Sequence, residues 1–445
     1  MRIKVIDAIC GAGKSSYAFQ MMNDFSRVGF GTRGDYFTSQ KKFIYVTPFL
    51  SEVARVINNT KAEFSEPTNK NSSKYEHVKK LIEEGKSIVM THELFSRLDE
   101  ETMSDIKVEG YTLIMDEVAN VLEQVQAYYK DIEYLLKAGA IEINDNKEII
   151  WMDDDYEVTE NSKYRDIKVL AERGNLFLDN GNIVFWTMPV NSFLCFDEVY
   201  LLTYLFDGQI QKYYYDLHGV EYEKYSVQKK GRYELIQYNP ILEPRNEIKQ
   251  LLDIYEDYNP QTGRKSCLNS NYDSRRNPNK YYQLSGTWLR KASDEDLKQL
   301  KNNLINFFRN QCPTDNEKVF WTTLKEVAPK LKNSKCKFNG DRSKDNYTPL
   351  NIRATNDYAD CTAMAYIYNR FMNPMEKRFF ENRGIKVDQD LLAMSDLIQF
   401  MFRGSIRKGE PMACYIPSMR MRSLLTQWFE YSEGSPEYEE EKLNV

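Results

Sequence analysis

The chain has 445 residues, of which 42% are hydrophobic and 28% are charged, and its formal net charge at pH 7 is -6. This length exceeds one ordinary domain of roughly 100 to 200 residues, so two or three domains are expected. No stretch approaches the roughly 20 apolar residues that cross a bilayer, which excludes a membrane-spanning protein. The acidic balance excludes a uniformly basic nucleic-acid binder, so such binding requires a local basic groove.

The cysteine and histidine content argues against a fold held together by disulfide bonds or by zinc. There are seven cysteines, an odd number without C-x-x-C spacing, and only three histidines. Neither a disulfide framework nor a zinc site is therefore indicated. The N-terminal segment reaches glycine by position 11 and lacks the cationic start and long apolar run of a signal peptide. We expect a cytoplasmic protein.

The first half of the chain alternates strand and helix patterns. A β-branched segment at 2–7 precedes a glycine loop and a predicted helix at 14–25. Three more strands are predicted, each followed by a helical segment: strands at 42–48, 86–92 and 111–117, with helices at 51–59, 93–98 and 118–125. This alternation predicts a parallel sheet covered on both faces. Apolar runs at 182–188 and 198–206 are expected to complete it, and residues 126–182 form a predicted insertion of a helix, a hairpin and an acidic turn.

A second α/β series is predicted downstream. It begins at 233–239, continues through helices near 244–256 and 294–310, and includes the apolar runs 319–327, 362–371 and 412–418. The predicted domains are residues 1–225 with the insertion at about 126–182, residues 226–430, and a disordered acidic tail at 431–445.

Residues 8–15, AICGAGKS, form a candidate phosphate loop. A glycine-rich turn at a helix N-terminus lets backbone N–H groups converge on phosphate oxygens. Gly11 and Gly13 supply the turn, Lys14 would reach the β and γ phosphates, and Ser15 would hold Mg²⁺. Ala8, Ala12 and Ser16 complete the predicted nucleotide-binding set. A chance glycine-rich turn is the alternative, and the strand before the loop and the helix after it favour the nucleotide site.

The second half of such a site is a carboxylate pair after an apolar strand. Residues 111–118, YTLIMDEV, place Asp116 and Glu117 in that position. Asp116 would hold the metal ion, and Glu117 would orient or deprotonate the attacking water. An Asp-Glu pair after an apolar run is common, so by itself it is a weak indication of a nucleotide site. Together with the phosphate loop it is a strong one.

These two elements resemble motifs I and II of superfamily 2 helicases, the group that includes the DEAD and DEAH proteins. Their motif I is usually A-x-x-G-x-G-K-[ST], which AICGAGKS matches at every fixed position, and DEVA at 116–119 takes the place of DEAD or DEAH. The resemblance implies two RecA-like parallel-sheet domains in tandem, with ATP and Mg²⁺ bound at the first. The divergent motifs and compact length resemble the helicase-like proteins of bacteriophages and mobile elements, which implies the cytoplasm of a bacterial host.

Further segments resemble the family's nucleic-acid contacts in the family's order. Residues 47–56 resemble motif Ia, 91–95 a later element of the first lobe, 319–326 motif IV and 351–361 motif V, while 201–206 takes the place of motif III with Thr203 as its nearest match. The resemblance implies nucleic-acid binding by seven residues: Thr47, Pro48, Thr91, His92, Thr322, Thr323 and Arg353.

Residues 398–409, IQFMFRGSIRKG, resemble motif VI, usually Q-x-x-G-R-x-x-R. The glycine place holds Phe402, and the second arginine comes one residue late. The resemblance implies catalytic roles for Gln399, Arg403 and Arg407 at the transferring phosphoryl group. Helical spacing would place the three on one face, so that both guanidinium groups point into one cleft. A pair of surface arginines is the alternative.

The sequence thus predicts an ATP-dependent helicase or translocase that moves on DNA, single- or double-stranded, with RNA as the less favoured substrate. Replication or recombination proteins are the expected protein partners, and no membrane partner is expected. One alternative is a packaging ATPase of terminase type, which also joins a phosphate loop to a DE strand. Another is a nucleotide-switched nucleic-acid-binding module, in which Glu117 would be idle.

Overall fold

The fold comes from a computed structural model that describes most of the chain. The described residues are 3–25, 28–30, 36–38, 41–61, 63–69, 73–125, 129–152, 164–172, 174–179, 183–258, 268–270, 278–332, 346–350 and 357–430. Their contacts divide the chain into two compact units. The first comprises Met1–Asp7, Gly13–Gln237 and Asn373–Val387, and the second comprises Ala8–Ala12, Tyr238–Met372 and Asp388–Val445. The predicted acidic tail lies outside the described residues.

The strands of the described residues are, in chain order, β1 Ile3–Asp7, β2 Val28–Phe30, β3 Tyr36–Thr38, β4 Lys42–Thr47, β5 Phe64–Ser65, β6 Ser87–Thr91, β7 Tyr111–Asp116, β8 Leu122–Val125, β9 Ile141–Ile143, β10 Ile149–Trp151, β11 Leu176–Asp179, β12 Ile183–Thr187, β13 Glu198–Thr203, β14 Tyr222–Lys230, β15 Arg232–Gln237, β16 Leu252–Ile254, β17 Val319–Thr322, β18 Ala363–Tyr366 and β19 Met412–Tyr415.

The α-helices of the same residues are α1 Lys14–Phe25, α2 Leu50–Asn59, α3 Lys74–Glu83, α4 His92–Phe95, α5 Glu100–Glu109, α6 Tyr129–Lys137, α7 Arg165–Glu172, α8 Asn191–Leu194, α9 Ile210–Leu217, α10 Arg245–Leu251, α11 Gly286–Lys291, α12 Asp294–Asn306, α13 Ala328–Leu331, α14 Pro374–Glu381, α15 Gln389–Met401 and α16 Met419–Glu430. Among these helices, none combines the length and the apolar character needed to cross a membrane.

The first unit is built on a sheet whose described strands run in the order β15-β14-β1-β13-β7-β4-β6-β5. All neighbours pair in parallel except β14 and β15, which form an antiparallel hairpin. Every residue of β7 is buried, as expected for a central parallel strand covered on both faces. Met22 of α1 and Val53 of α2 pack with Tyr45 and Ile114 of the sheet in one apolar core. The α/β prediction is confirmed for this unit.

Two predictions for the middle of the chain are wrong. The segment 118–125 was predicted as a helix, but its second half is strand β8. The apolar run at 182–188 was expected in the main sheet, but β12 pairs with β8 and β11 in a separate antiparallel sheet. Short apolar runs do not distinguish helix from strand by periodicity, and the valines at 118, 121 and 125 favour a strand. The predicted helix and hairpin of this region are present as α6 and β9–β10.

The strand at 232–237 lies in the first sheet and does not open the second series. Gly231, at φ +74°, makes the turn between β14 and β15, and the two strands pair from Lys230–Arg232 to Tyr225–Gln237. A glycine between two strand patterns is the usual signal for a hairpin. The first sheet therefore extends to residue 237.

A later segment completes the core of the first unit. Helix α14 begins after Asn373, whose side chain caps it, and its Phe379 and Phe380 are buried. The Phe379 ring lies 5.0 Å from that of Phe185, and the Phe380 ring lies 5.8 Å from that of Tyr213, centroid to centroid. Because the partners are about 170–200 residues away in sequence, no local pattern indicates this packing.

The second unit has its own parallel sheet, with the described strands in the order β16-β19-β18-β17. The four large aromatic residues of its described strands, Phe320, Trp321, Tyr366 and Tyr415, are fully buried. Helix α12 starts at a capping box, in which Ser293 and Asp296 bond each other's backbone N–H groups. This unit is also α/β with parallel strands, as predicted.

Candidate nucleotide site

The candidate site lies at the carboxyl ends of the central strands of the first sheet. Asp7 of β1 is in register with Thr203 of β13, and Leu202 is in register with Asp116 of β7. Thr47 of β4 follows Val46, the partner of Met115, and pairs with Thr91 of β6. Ligands of open α/β sheets bind in the crevice at this edge. The registers therefore bring residues from five strands to one line.

The predicted phosphate loop has the backbone that such a loop requires. Gly11 and Gly13 have φ values of +88° and +102°, a region that side chains disfavour and glycine adopts freely. The N–H of Ala12 donates to Ile9 O at 3.1 Å, closing a tight turn, and the N–H of Tyr17 donates to Gly13 O at 2.8 Å as α1 begins. The helix starts at Lys14, and because the N-terminal end of a helix favours negative charge, this end of α1 suits an anion.

Asp116, the predicted metal ligand, is buried at the end of β7. Its exposed fraction is 7%, and Tyr45 Oη donates to its Oδ2 at 3.3 Å. Burial, reinforced by the charge of Glu117, raises the pKa of Asp116 to about 6, while nearby Arg55 and Lys14 act in the opposite direction. Because burial disfavours the charge on this carboxylate, a cation bound beside Asp116 would stabilise it.

Glu117, the predicted water-activating residue, has a conformation that glutamate rarely adopts. Its φ is +65°, and its N–H donates to Leu202 O at 2.9 Å. Its Oε2 is buried and, among the described residues, has no hydrogen-bond partner. Left-handed non-glycine residues and unpartnered buried oxygens concentrate at functional sites. The loop and the two carboxylates fit a nucleotide with Mg²⁺.

Two of the four predicted nucleic-acid contacts of this unit, Thr91 and His92, have other partners in the structure. The Thr91 hydroxyl accepts from Leu94 N–H at 3.4 Å and caps α4. His92 Nε2 lies 2.8 Å from Asp116 O, and because a carbonyl only accepts, this nitrogen carries the proton. Thr47 is fully buried and its hydroxyl is unpaired among the described residues, while Pro48 is half-buried. Nucleic-acid binding by these residues remains a prediction.

The sequence patterns did not indicate Asp7. This residue ends β1 and links it to residues 205 and 206, in the segment that takes the place of motif III. Its two carboxylate oxygens accept from Leu205 N–H at 2.7 Å and from Phe206 N–H at 3.0 Å. Leu205 has a φ of +51°, so this carboxylate holds a turn of unusual conformation directly after Thr203. The signal available in the sequence is an acidic residue that follows the apolar pair Val5 and Ile6 immediately before the loop.

The buried carboxyl of Asp7 gives a stability prediction with a defined sign. Burial raises its pKa to about 6, against the two backbone donors, from an ordinary value near 3.9. The folded protein thus binds the proton more tightly, and the resulting stability is present below pH 4 and lost as pH rises through 6. Relative to Asp7→Asn, we expect the wild-type free energy of unfolding to fall by roughly 2–3 kcal/mol between pH 4 and pH 7.

Urea unfolding of both proteins at several pH values measures this difference. Asp145→Asn, at an exposed carboxyl, is the matched control and should run parallel to the wild type. Parallel profiles for wild type and Asp7→Asn would contradict the assignment.

In the second unit, the residues of the motif VI resemblance do not share one helix face. Helix α15 ends at Met401, Gly404 is extended, and Ser405–Lys408 form a short 3-10 turn. A Cβ on Gly404 would lie 2.4 Å from Met412 Sδ. The backbone between α15 and the 3-10 turn is therefore closely packed at this glycine. The prediction of continuous helical spacing from 399 to 407 is wrong.

The two arginines consequently differ in environment. Arg403 is 6% exposed, its guanidinium lies 5.2 Å from the Phe400 ring centroid, and burial lowers its pKa to about 10. Arg407 is exposed. Gln399 Nε2 donates to Ser395 Oγ at 3.1 Å within the helix.

Two further predicted residues lie at the carboxyl end of β17. Thr322 and Thr323 are fully buried, and their hydroxyls lack partners among the described residues. Arg353 lies outside the described residues.

Comparisons with known proteins place the chain in a family. A family model described as the YonV C-terminal Rossmann-like domain matches residues 246–429, and one described as the YonV middle domain matches residues 122–186. The SPbeta prophage-derived uncharacterized protein YonV of Bacillus subtilis (strain 168) is 35% identical over 442 residues, which cover 96% of this chain and 99% of YonV.

Solved structures named XPD_APO, XPD_Helicase and Xpd4 of S. tokodaii are also similar to the chain. Their sequence identities are 12%, 10% and 12%, and their TM-scores are 0.49, 0.43 and 0.47. The matches cover 98%, 96% and 96% of this chain and 96%, 94% and 94% of those chains.

The family match bears on two predictions. The Rossmann-like description of residues 246–429 agrees with the parallel sheet of the second unit, and the predicted class of two α/β domains is confirmed. YonV derives from a prophage, which agrees with the predicted phage-type resemblance. Its identity of 35% extends over nearly the full length of both chains. The chain therefore belongs to the YonV family.

Proposed function

We propose that this protein is an ATP-dependent nucleic-acid helicase or translocase that hydrolyses ATP at the carboxyl edge of the first sheet. One observation carries the proposal. A loop with two left-handed glycines leads from β1 into α1, and β7, which β13 separates from β1 in the same sheet, ends at Asp116 with Glu117 next in the chain. Glu117 Oε2 is buried without a partner among the described residues. A buried carboxylate oxygen without a hydrogen-bond partner is costly, so a purely structural role does not account for Glu117.

Each residue of this site has a defined task in the proposal. Lys14 binds the terminal phosphates, and the N–H groups of the loop and first turn bind the others. Ser15 and Asp116 would hold Mg²⁺, which neutralises phosphate charge when it is bound. Glu117 orients the attacking water and accepts its proton. Buried Asp7 keeps the turn after Thr203 in place beside these groups.

The second unit supplies the remaining tasks in the proposal. Arg403 and Arg407, with Gln399, stabilise charge on the transferring phosphoryl group, the role of an arginine finger. In the proposal Thr322 and Thr323, whose buried hydroxyls have no partner among the described residues, contact phosphates of the nucleic acid together with Arg353. Thr47, Pro48, Thr91 and His92 of the first unit have the same task. Phosphate contacts carry no sequence information, so base preference should be weak. DNA is the favoured nucleic-acid substrate, and RNA is the second candidate.

ATP turnover by the wild-type protein tests this function. Steady-state phosphate release is measured without nucleic acid and with single-stranded DNA, double-stranded DNA or RNA of equal length. We expect stimulation of about tenfold or more by DNA, with a smaller effect of RNA, because coupling free energies between sites are typically about 1–3 kcal/mol. Turnover that is insensitive to every polymer would contradict the translocase, and binding of ATP without turnover would indicate a nucleotide-switched module.

A further inference from the structure

An open cavity of about 550 Å³ borders the first turns of α1 within the first unit. Its walls come from α1, from the chain that follows α2, and from β15, and they include Ser16, Gln20, Asn23 and Tyr233. Small-molecule sites have volumes of roughly 300–1,000 Å³. The cavity is therefore large enough for part of a nucleotide.

Tyr233 is held beside α1 by its own backbone. Gln20 Nε2 donates to Tyr233 O at 2.8 Å, and Gln20 Oε1 accepts from Tyr233 N–H at 3.0 Å. Leu235, two residues further along β15, packs against the core that contains Ala18 and Met22 of α1. Because alternate residues of a strand share a face, Tyr233 is on the side of the sheet that α1 covers.

The Tyr233 ring lies against the last glycine of the phosphate loop. A Cβ built on Gly13 would be 2.2 Å from Tyr233 Cε1 and 2.8 Å from Cδ1. Only a hydrogen atom fits between the loop and the ring. The ring thus abuts the residue immediately before Lys14.

The direction of the loop determines which part of a nucleotide would meet this ring. Lys14 and Ser15 serve the terminal phosphates and Mg²⁺, while the phosphate next to the nucleoside is bound further along the turn by backbone N–H groups. Ser16, the next residue, also lines the cavity. We propose that this cavity takes the ribose and base of the nucleotide and that Tyr233 is the surface on which the base stacks. This inference rests on the proposed function of the loop.

Two polar side chains of the cavity, those of Gln20 and Asn23, are engaged in building its walls. Gln20 uses both amide atoms on the Tyr233 backbone. Asn23 Nδ2 donates to Asn59 O at 3.3 Å, and Asn23 Oδ1 accepts from Lys61 N–H at 2.6 Å. Strong base discrimination needs polar groups dedicated to the base edge, whereas stacking suits any base because every base has a π-face. Stacking on Tyr233 is accordingly the main source of nucleoside affinity.

The test compares a ligand that has a nucleoside with one that has only phosphates. Affinities for ADP and for inorganic tripolyphosphate, both with Mg²⁺, are measured by calorimetry on the full-length chain. Tyr233→Ala should weaken ADP binding by about tenfold or more, as expected for loss of one base–aromatic stack, and leave tripolyphosphate binding within twofold. Tyr233→Phe should bind both ligands like the wild type. Lys14→Ala should weaken both.

Either of two results for Tyr233→Ala would overturn the inference. One is an ADP affinity within twofold of the wild type, and the other is an equal loss of affinity for ADP and tripolyphosphate. Tyr233→Leu, which keeps apolar volume against Gly13, covers the case in which alanine unfolds the strand, and it should also lose ADP affinity selectively. Tyr225→Ala, on the neighbouring strand β14, is the matched control and should leave both affinities unchanged. A wild-type protein that binds neither ligand would reject the proposed function itself.

Discussion

Glu117→Gln is expected to lower ATP turnover by roughly 10²–10⁴-fold, the usual contribution of a general base, while ATP binding stays within a few-fold of wild type. The amide keeps the size of the side chain but accepts no proton. Glu117 has a left-handed backbone, and its buried Oε2 has no hydrogen-bond partner among the described residues. This oxygen is therefore suited to accept a hydrogen bond from the attacking water. Single-turnover hydrolysis and equilibrium binding of ATP, measured on the same preparation, separate the two effects.

Glu123→Gln is the matched control, since Glu123 is an exposed glutamate on β8, six residues further along the chain. It should turn over ATP at the wild-type rate. Unchanged turnover in Glu117→Gln would show that this residue has no part in the hydrolysis.

Lys14→Ala is expected to have the other large effect. Lys14 opens α1 and is 9% exposed, and its charge is close enough to Asp116 to lower the pKa of that carboxyl. Removing it deletes the charge-assisted bonds to the terminal phosphates. We expect kcat/KM for ATP to fall by about 10²–10³-fold or more, as when one electrostatic donor of a transition state is removed, together with weaker ATP binding. Lys86→Ala, at an exposed lysine, should have no effect on either quantity.

The features that the sequence predicted well are those formed by residues close together in the chain. Gly11, Gly13, Lys14 and Ser15 make a loop whose backbone angles follow from the residue types themselves. Asp116 follows a continuous apolar run, which is how a buried parallel strand appears in a sequence. Strand–helix alternation then gives the α/β class, because it has few other packed solutions.

The features that the sequence did not predict depend on distant partners. Tyr233 lies against Gly13 across more than 200 residues, and Asp7 holds the backbone at Leu205. No local periodicity reports such contacts, since they arise only when the sheet assembles. Helix α14 joins the first unit for the same reason.

The prediction of one helix face for Arg403 and Arg407 failed for a different physical reason. Helical spacing assumes that the helix continues, but α15 ends at Met401 and Gly404 packs directly against Met412. The glycine was visible in the sequence, and its packing partner was not. A glycine after a helical pattern is a stop signal, and Gly404 lies between the two arginines.

The most direct test of the central claim is phosphate release from ATP by the wild type and by Lys14→Ala, side by side, at saturating single-stranded DNA. A nucleotide site at the first sheet predicts DNA-stimulated release by the wild type, and release by the variant at the level of a protein-free blank. Equal rates in the two proteins would contradict that site, and with it the proposal that this chain moves on nucleic acid by hydrolysing ATP.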